Sequence, residues 1–296
     1  MLAPSAAELF GSSVNRPIAM SAKVGWSSFN PSIAYSPVEG YKCIVRSSNY
    51  VITRGQYEYP GYIDTRNWIA HLDDDLMLVD MEEIDQEDVR GPVLYREVLN
   101  MEDARLIWRD EGYWQVSGTL REARADGVCR IAVDRLEDWK AVERHVLPSP
   151  AFDLRHEKNW MPLSDGRFVY DAATGQVVDG KGQYSPQVTH LAHGWDMRGG
   201  SQVVELPSGD HLAIVHEVNH GPEGRQYLNR FVLFGPDLDL LEVSPLFYFE
   251  RPTIEFAAGM VLWHDQVVVS YGLDDRLAML STVPLEGVLA SLSSVG

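Results

Sequence analysis

Met101-Glu102-Asp103-Ala104-Arg105-Leu106-Ile107-Trp108 sets two carboxylates and a guanidinium immediately before an apolar, strand-forming run. A grouping of that kind can move a proton and fix hydroxyl groups by charge-assisted hydrogen bonds. Junctions of the same type return at Phe29-Asn30-Pro31-Ser32, Glu157-Lys158-Asn159-Trp160, Arg198-Gly199-Gly200-Ser201 and Ile254-Glu255-Phe256. They recur roughly every 45 to 70 residues, which predicts a radial array of small sheets whose inner strands start around one pocket. The set that would converge there is Asn30, Arg46, Glu102, Asp103, Arg105, Glu157, Lys158, Arg198, His216, Glu255, Asp274 and Asp275. Turn caps and salt bridges between sheets use the same residue types, so the pattern alone leaves both roles open.

The elements that must carry these residues read as β throughout. Tyr41 to Arg46 and Asn49 to Thr53 are rich in β-branched and aromatic residues. Trp68 to Leu72 and Leu76 to Val79 flank Asp73-Asp74-Asp75, a polar hairpin turn. The second unit has strands at Ala104 to Trp108, Tyr113 to Gly118, Val128 to Arg135 and Leu136 to Glu143. The third has Trp160 to Leu163, Arg167 to Tyr170 and a strand near Val177. The fourth has Gln202 to Leu206, His211 to Val218, Tyr227 to Phe234 and Leu240 to Val243, and the fifth Glu255 to Val261, Val267 to Tyr271 and Leu277 to Val283. Asp-Gly and Ser-Gly turns separate them, and helical periodicity is confined to Leu285 to Leu292. With no βαβ alternation, the expected fold is all-β, a five-bladed β-propeller over 29–290. An N-terminal extension, 1–28, precedes it as a short helix or an outer wrap, and 291–296 form a tail.

Composition narrows the function. Lys plus Arg number 25 against 43 Asp plus Glu, a formal net charge of -18, so the chain lacks the basic surface that binds nucleic acid. No apolar run reaches the roughly 20 residues that span a bilayer, and Met1 to Ser5 have no signal-peptide pattern, so no membrane partner and a cytoplasmic location are expected. Cys43 and Cys129 are the only cysteines and are expected to be free thiols. His216-Glu217-Val218-Asn219-His220 matches H-E-x-x-H, but it follows a strand-like run and meets Asn219 and Gly221, so the helix that would aim both imidazoles at one zinc ion is not expected. No metal site is expected, and no P-loop, nucleophile elbow or dinucleotide fingerprint is found. Trp195-Asp196 occurs once and is no repeat signature.

The junction residues resemble those of glycoside hydrolase family 130, the β-mannoside phosphorylases and hydrolases, and of the related β-mannosyltransferases, all five-bladed propellers. Phe29-Asn30-Pro31-Ser32-Ile33-Ala34 and the strand ending in Arg46 resemble the first blade, and Glu102-Asp103-Ala104-Arg105 resembles the Glu-Asp-Pro-Arg motif that carries the catalytic acid. Arg198-Gly199-Gly200-Ser201-Gln202 with Leu212 to His216 resembles the fourth blade, and Ile254 to Met260 with Val269 to Asp275 the last. The resemblance implies an enzyme that cleaves or transfers a β-glycoside of mannoside type, with Asp103 as its single general acid. Asn30, Arg46, Glu102, Arg105, Glu255, Asp274 and Asp275 would bind substrate, and Lys158, Arg198 and His216 would bind phosphate. Inorganic phosphate is then a co-substrate, no other cofactor is implied, and the partner is an oligosaccharide or glycoside. Phosphate is already a nucleophile at neutral pH, so one acid and a basic pocket suffice for phosphorolysis, whereas inverting hydrolysis needs a second carboxyl group, for which Glu217 or Asp274 are the candidates. Glu217 stands where the family has glycine and is expected to add negative charge beside the anion site. Trp160, Trp195 and Tyr248 are candidates either to stack on a pyranose ring or to pack in the core. A non-catalytic carbohydrate-binding propeller accessory to a glycosyltransferase is the alternative.

Overall fold

A computed structural model describes residues 3–20, 22–53, 55–185, 195–221 and 224–295; the opening Met1 and Leu2 lie outside them. Five antiparallel sheets stand in a ring as a five-bladed β-propeller. The innermost strand of each blade begins at one of the junctions: Ser27–Ser36, Glu102–Trp108, Met161–Pro162, Arg198–Gly199 with Val204–Glu205, and Glu255–Trp263. The inner and middle strands of the second and fifth blades are largely covered on both faces and include apolar runs such as Val267-Val268-Val269, whereas the outer strand Leu78–Glu83 is partly exposed along its whole length.

The core lies between blades. One buried cluster joins the first blade to the second through Ile44, Ile69, Leu106 and Val116, and another joins the second to the third through Ile131, Trp160 and Phe168. Met161, Val169, Val215 and Val232 join the third to the fourth, Ile214, Phe231, Val269 and Tyr271 the fourth to the fifth, and Val261, Val268, Ile33 and Val45 close the circle. Burial between successive sheets is what forces the polar strand starts to face a common axis.

The residues before the first blade complete the ring. Ala6–Phe10 is the expected short helix, with Ser5 and Glu8 forming a capping box, and Val14–Pro17 adds the outer strand of the fifth blade by pairing with Leu277–Pro284. Ser293–Ser294 of the tail pairs with Leu240–Val243 of the fourth blade. Several strand boundaries differ from expectation, among them two that change the turns between strands. Asp138 and Trp139 adopt left-handed φ and make a turn, so the fourth strand of the second blade is Lys140–Val146. The His211–Gly221 and Gly224–Phe234 hairpin is longer than expected and carries the H-E-x-x-H string on a strand. Cys43 and Cys129 are buried free thiols, and no helix among the described residues is long and apolar enough to cross a membrane.

Candidate active site

Three inner strands carry one extra residue each. In the first blade Phe29 pairs with Arg46 and Ser32 with Ile44; in the second Arg105 pairs with Ser117 and Glu102 with Thr119; in the fifth Ala257 pairs with Tyr271 and Gly259 with Ser270. Such β-bulges re-aim a side chain, and here two of them do so through left-handed residues, Asn30 at φ 47° and Asp103 at φ 49°. Asn and Asp tolerate that region better than other non-glycine residues. Both side chains thereby reach the axis and meet, Asn30 Nδ2 donating to Asp103 Oδ1 at 2.9 Å.

Arg46 anchors the pair. Its guanidinium lies 5.0 Å from the ring centre of Phe29 and 5.5 Å from that of Tyr50. It donates to Asp103 Oδ1 at 2.8 Å and to Glu102 Oε1 at 2.7 Å. Burial alone would push the Asp103 carboxyl upward, but Arg46, then Lys158 and Arg105, and the Asn30 bond outweigh it and hold the group at about 2. Its side chain stays 23% exposed, open to a cavity of about 470 Å³ at the ring's axis.

The cavity brings together Asn30, Arg46, Glu102, Asp103, Lys158, Arg198, His216 and Asp275 from strand starts and ends across the chain. Lys158 is exposed on its wall, and Arg198, 48% exposed, pairs with Asp196 at 3.1 Å. His216 is buried, stacked on Tyr227 and edge-on to Phe256, and its Nδ1 has no protein partner. Burial, with Arg105 and Arg198, lowers its pKa to about 3, so it faces a ligand as neutral imidazole. Tyr50 donates its hydroxyl to Asp275 Oδ2 at 2.8 Å, and burial raises the Asp275 carboxyl.

Three expected substrate ligands stand outside the cavity wall. Arg105 is fully buried behind Asp103, donating to the carbonyls of Asp103 at 2.7 Å and Gly200 at 2.9 Å and to Asn159 Oδ1 at 3.2 Å. It therefore ties the second, third and fourth blades together and presents no donor to a sugar. Glu255 points away from the axis and accepts from the backbone N–H groups of Phe249, Glu250 and Arg251. Asp274 is bound to Arg251 at 2.6 Å. Glu217 alternates to the opposite face from His216 and pairs with Arg230 at 3.0 Å, so its charge is neutralised away from the cavity. Glu157 is buried and accepts from Ser149, Trp160 and Tyr170.

The aromatic expectation also changes. Trp160 packs against Phe168 and Tyr170, Trp195 lies against Arg230, and Tyr248 pairs its backbone with the N-terminal segment. Tyr50, Tyr57, Tyr59, Tyr95 and Tyr227 line the cavity instead, with Arg121, Arg225 and Glu97. The crowding of Tyr57, Tyr59 and Tyr62 into one short stretch was the available signal.

No family model matches the sequence, and no curated protein does. Solved structures match it closely in shape. The β-1,2-mannobiose phosphorylase of Listeria innocua, solved with β-1,2-mannobiose, superposes with a TM-score of 0.63 at 12% identity, covering 92% of this chain and 94% of its own. The chain shares its fold. A glycoside hydrolase family 130 structure, from a study of hydrolases that target β-1,2-mannosidic linkages in Candida mannan, gives 0.60 at 14% identity over 92% of each chain. MPT-1, a GDP-Man-dependent mannosyltransferase from Leishmania mexicana, gives 0.57 at 14% identity, covering 93% of this chain and 91% of its own.

Proposed function

We propose that the axial cavity is the active site of a carbohydrate-active enzyme that cleaves or transfers a β-glycoside of mannoside type, with Asp103 as its proton-transfer group. The observation that carries this reading is the Asp103 carboxylate, turned into the cavity by a bulge and gripped by Arg46 and Asn30, with Lys158 and Arg198 on the wall the third and fourth blades supply. Arg46 and Asn30 fix its orientation, and the basic wall supplies the charge that an incoming phosphate needs.

Held at about 2 by its protein neighbours, Asp103 is ionised at neutral pH. Phosphate bound by Lys158 and Arg198 would offset part of the positive charge that holds it there and add a like charge nearby, raising its affinity for a proton. The acid is then assembled by the ligand: Asp103 takes up a proton as phosphate enters and passes it, directly or through a sugar hydroxyl, to the glycosidic oxygen as phosphate attacks the anomeric carbon. In the reverse direction Asp103, as carboxylate, takes the proton of the acceptor hydroxyl as the sugar phosphate releases phosphate. Phosphorolysis and transfer use residues that line the cavity, whereas Glu217 and Asp274, the candidates for activating water, are engaged by Arg230 and Arg251 outside it.

Product analysis after incubation with β-mannosides, with and without phosphate, tests the reading. Sugar phosphate should form only when phosphate is present. Asp103→Asn should lower turnover by about 10²- to 10⁴-fold while sugar affinity changes little. Turnover undiminished in that variant would remove Asp103 from the chemistry, and sugar binding without turnover in the unaltered protein would favour the non-catalytic alternative.

A further inference from the structure

The cavity draws two groups of residues from different blades, and Arg46 and Arg225 stand beside Tyr50 and Tyr57 in the second of them. Lys158, Asn159 and Arg198 come from the starts of the third and fourth blades, while Tyr50, Tyr57 and Tyr59 come from the first blade and Tyr95 from its link to the second. In a ring of five, those sources lie across the axis from one another, with Asp103 of the second blade between them. Tyr57 belongs to a hairpin, Val51–Thr53 with Gln56–Glu58, that is inserted between the Gly40–Ser48 and Ile63–Leu72 strands. This hairpin forms a two-stranded sheet of its own and pairs with no blade. It is braced from two other blades: Arg276 of the fifth donates to the Ile52 carbonyl at 3.1 Å, and Arg225 of the fourth donates to the Tyr57 hydroxyl at 3.2 Å.

The ring needs none of this for closure, yet Tyr57 and Tyr59 each stay 44% exposed at the cavity. The surroundings of Tyr57 limit its motion. Tyr57 packs edge-on against Tyr50 with ring centres 5.2 Å apart, Tyr50 is tied to Asp275, and the Tyr95 hydroxyl donates to Glu97 at 2.6 Å. Rings fixed in advance lose little freedom on binding, so contact with them converts more fully into affinity. Tyrosine presents an apolar face with a polar tip, which suits a pyranose ring, apolar on one face and hydroxylated at its edge.

We propose that the group of tyrosines is a subsite for further sugar units of an oligosaccharide, so that the chain reaches beyond the bond held at Asp103 and lies against Tyr57 and Tyr59. This rests on the proposed function, since it places the scissile bond at Asp103 and the phosphate at Lys158 and Arg198. Chain-length preference is therefore set by the inserted hairpin.

Calorimetric titration of the whole protein with β-mannosides of two to four units tests it without requiring turnover. Affinity should rise with length, and Tyr57→Ala and Tyr59→Ala should each weaken the longest ligand about three- to tenfold more than the disaccharide. Tyr57→Phe should retain most of the preference. Melting curves establish that each variant is folded, and Tyr59→Ala stands in if the loss of the Arg225 contact unfolds the hairpin. Equal affinity for all lengths, or alanine variants that keep the wild-type preference, would overturn the subsite while leaving the proposed function intact. An aryl β-mannoside that binds more tightly than the tetrasaccharide would overturn the oligosaccharide as occupant. Failure to bind any β-mannoside would overturn both readings.

Discussion

Asp103 and Glu255 are carboxylates with opposite surroundings. Asp103 has a cation in contact and is held below its ordinary 3.8, at about 2, so its contribution to stability is present above 3.8 and lost as pH falls through 2. Glu255 has only backbone N–H groups, and burial outweighs them to lift it from 4.5 to about 7. The sign therefore reverses. The folded state binds the Glu255 proton more tightly than the unfolded one, so its stabilising contribution is complete below 4.5 and disappears as pH rises through 7, about 3 kcal/mol in all. Melting temperature against pH should fall across that window in the wild type more steeply than in Glu255→Gln. The variant should also start lower, because an amide NH₂ facing one of the three N–H donors loses a bond. Equal slopes in the two proteins would show that Glu255 does not titrate there. These roles were not legible from residue type. Glu255 and Glu102 both sit at a strand start and read alike, and only the left-handed turn after Glu102, with Arg46 across from it, sends one toward the axis while the other holds a loop.

The bulged inner strand is the element that makes the site. Its polar start and apolar continuation are visible in the sequence, and so are the five recurrences and the turns between strands. The extra residue is not, because a bulge is defined by its partner's register and not by its own sequence. Gly272 shows how tightly that register is set. A Cβ there would lie 1.9 Å from Asn30 Oδ1 and 2.7 Å from Asn30 N, so the fifth blade approaches the bulge of the first with no room for a methyl group. Gly272→Ala should displace Asn30 from Asp103, cost about 1–3 kcal/mol in stability and reduce turnover. Gly91→Ala, where a Cβ meets nothing within 4 Å, is the control and should change neither. Unchanged turnover in Gly272→Ala would show that the Asn30 contact is dispensable. The first strand of the inserted tyrosine hairpin lies within the Asn49 to Thr53 run, but its second, Gln56–Glu58, escaped detection because it is short and exposed at every position, without the alternation that a half-buried strand carries.

At the scale of the molecule, the ring is sealed by its first residues. Phe10 is 3% exposed and packs edge-on against Phe231 at 5.4 Å and Phe247 at 4.8 Å, placing the opening helix on the seam between the fourth and fifth blades. Phe10→Ala should cost about 3 kcal/mol without altering sugar affinity, read from denaturant unfolding beside a binding titration. A change in affinity of similar size would mean that the seam and the cavity are coupled. Sequence reasoning placed this segment at the edge of the domain, because a four-residue strand with two intermediate and two exposed positions, Val14–Pro17, carries too weak a pattern to reveal its partner.

That partner lies far along the chain, and the separation constrains how the protein is made. Val14–Pro17 pairs with Leu277–Pro284, so on a ribosome adding about 5–20 residues per second it waits on the order of tens of seconds for its mate. Through that interval the growing polypeptide is an open arc with a bare strand at its leading end, able to pair with a neighbouring copy's nascent chain. A circular permutant that starts between the first and second blades would bring Val14–Pro17 directly after Leu277–Pro284 in synthesis order, and it should yield less aggregate during expression.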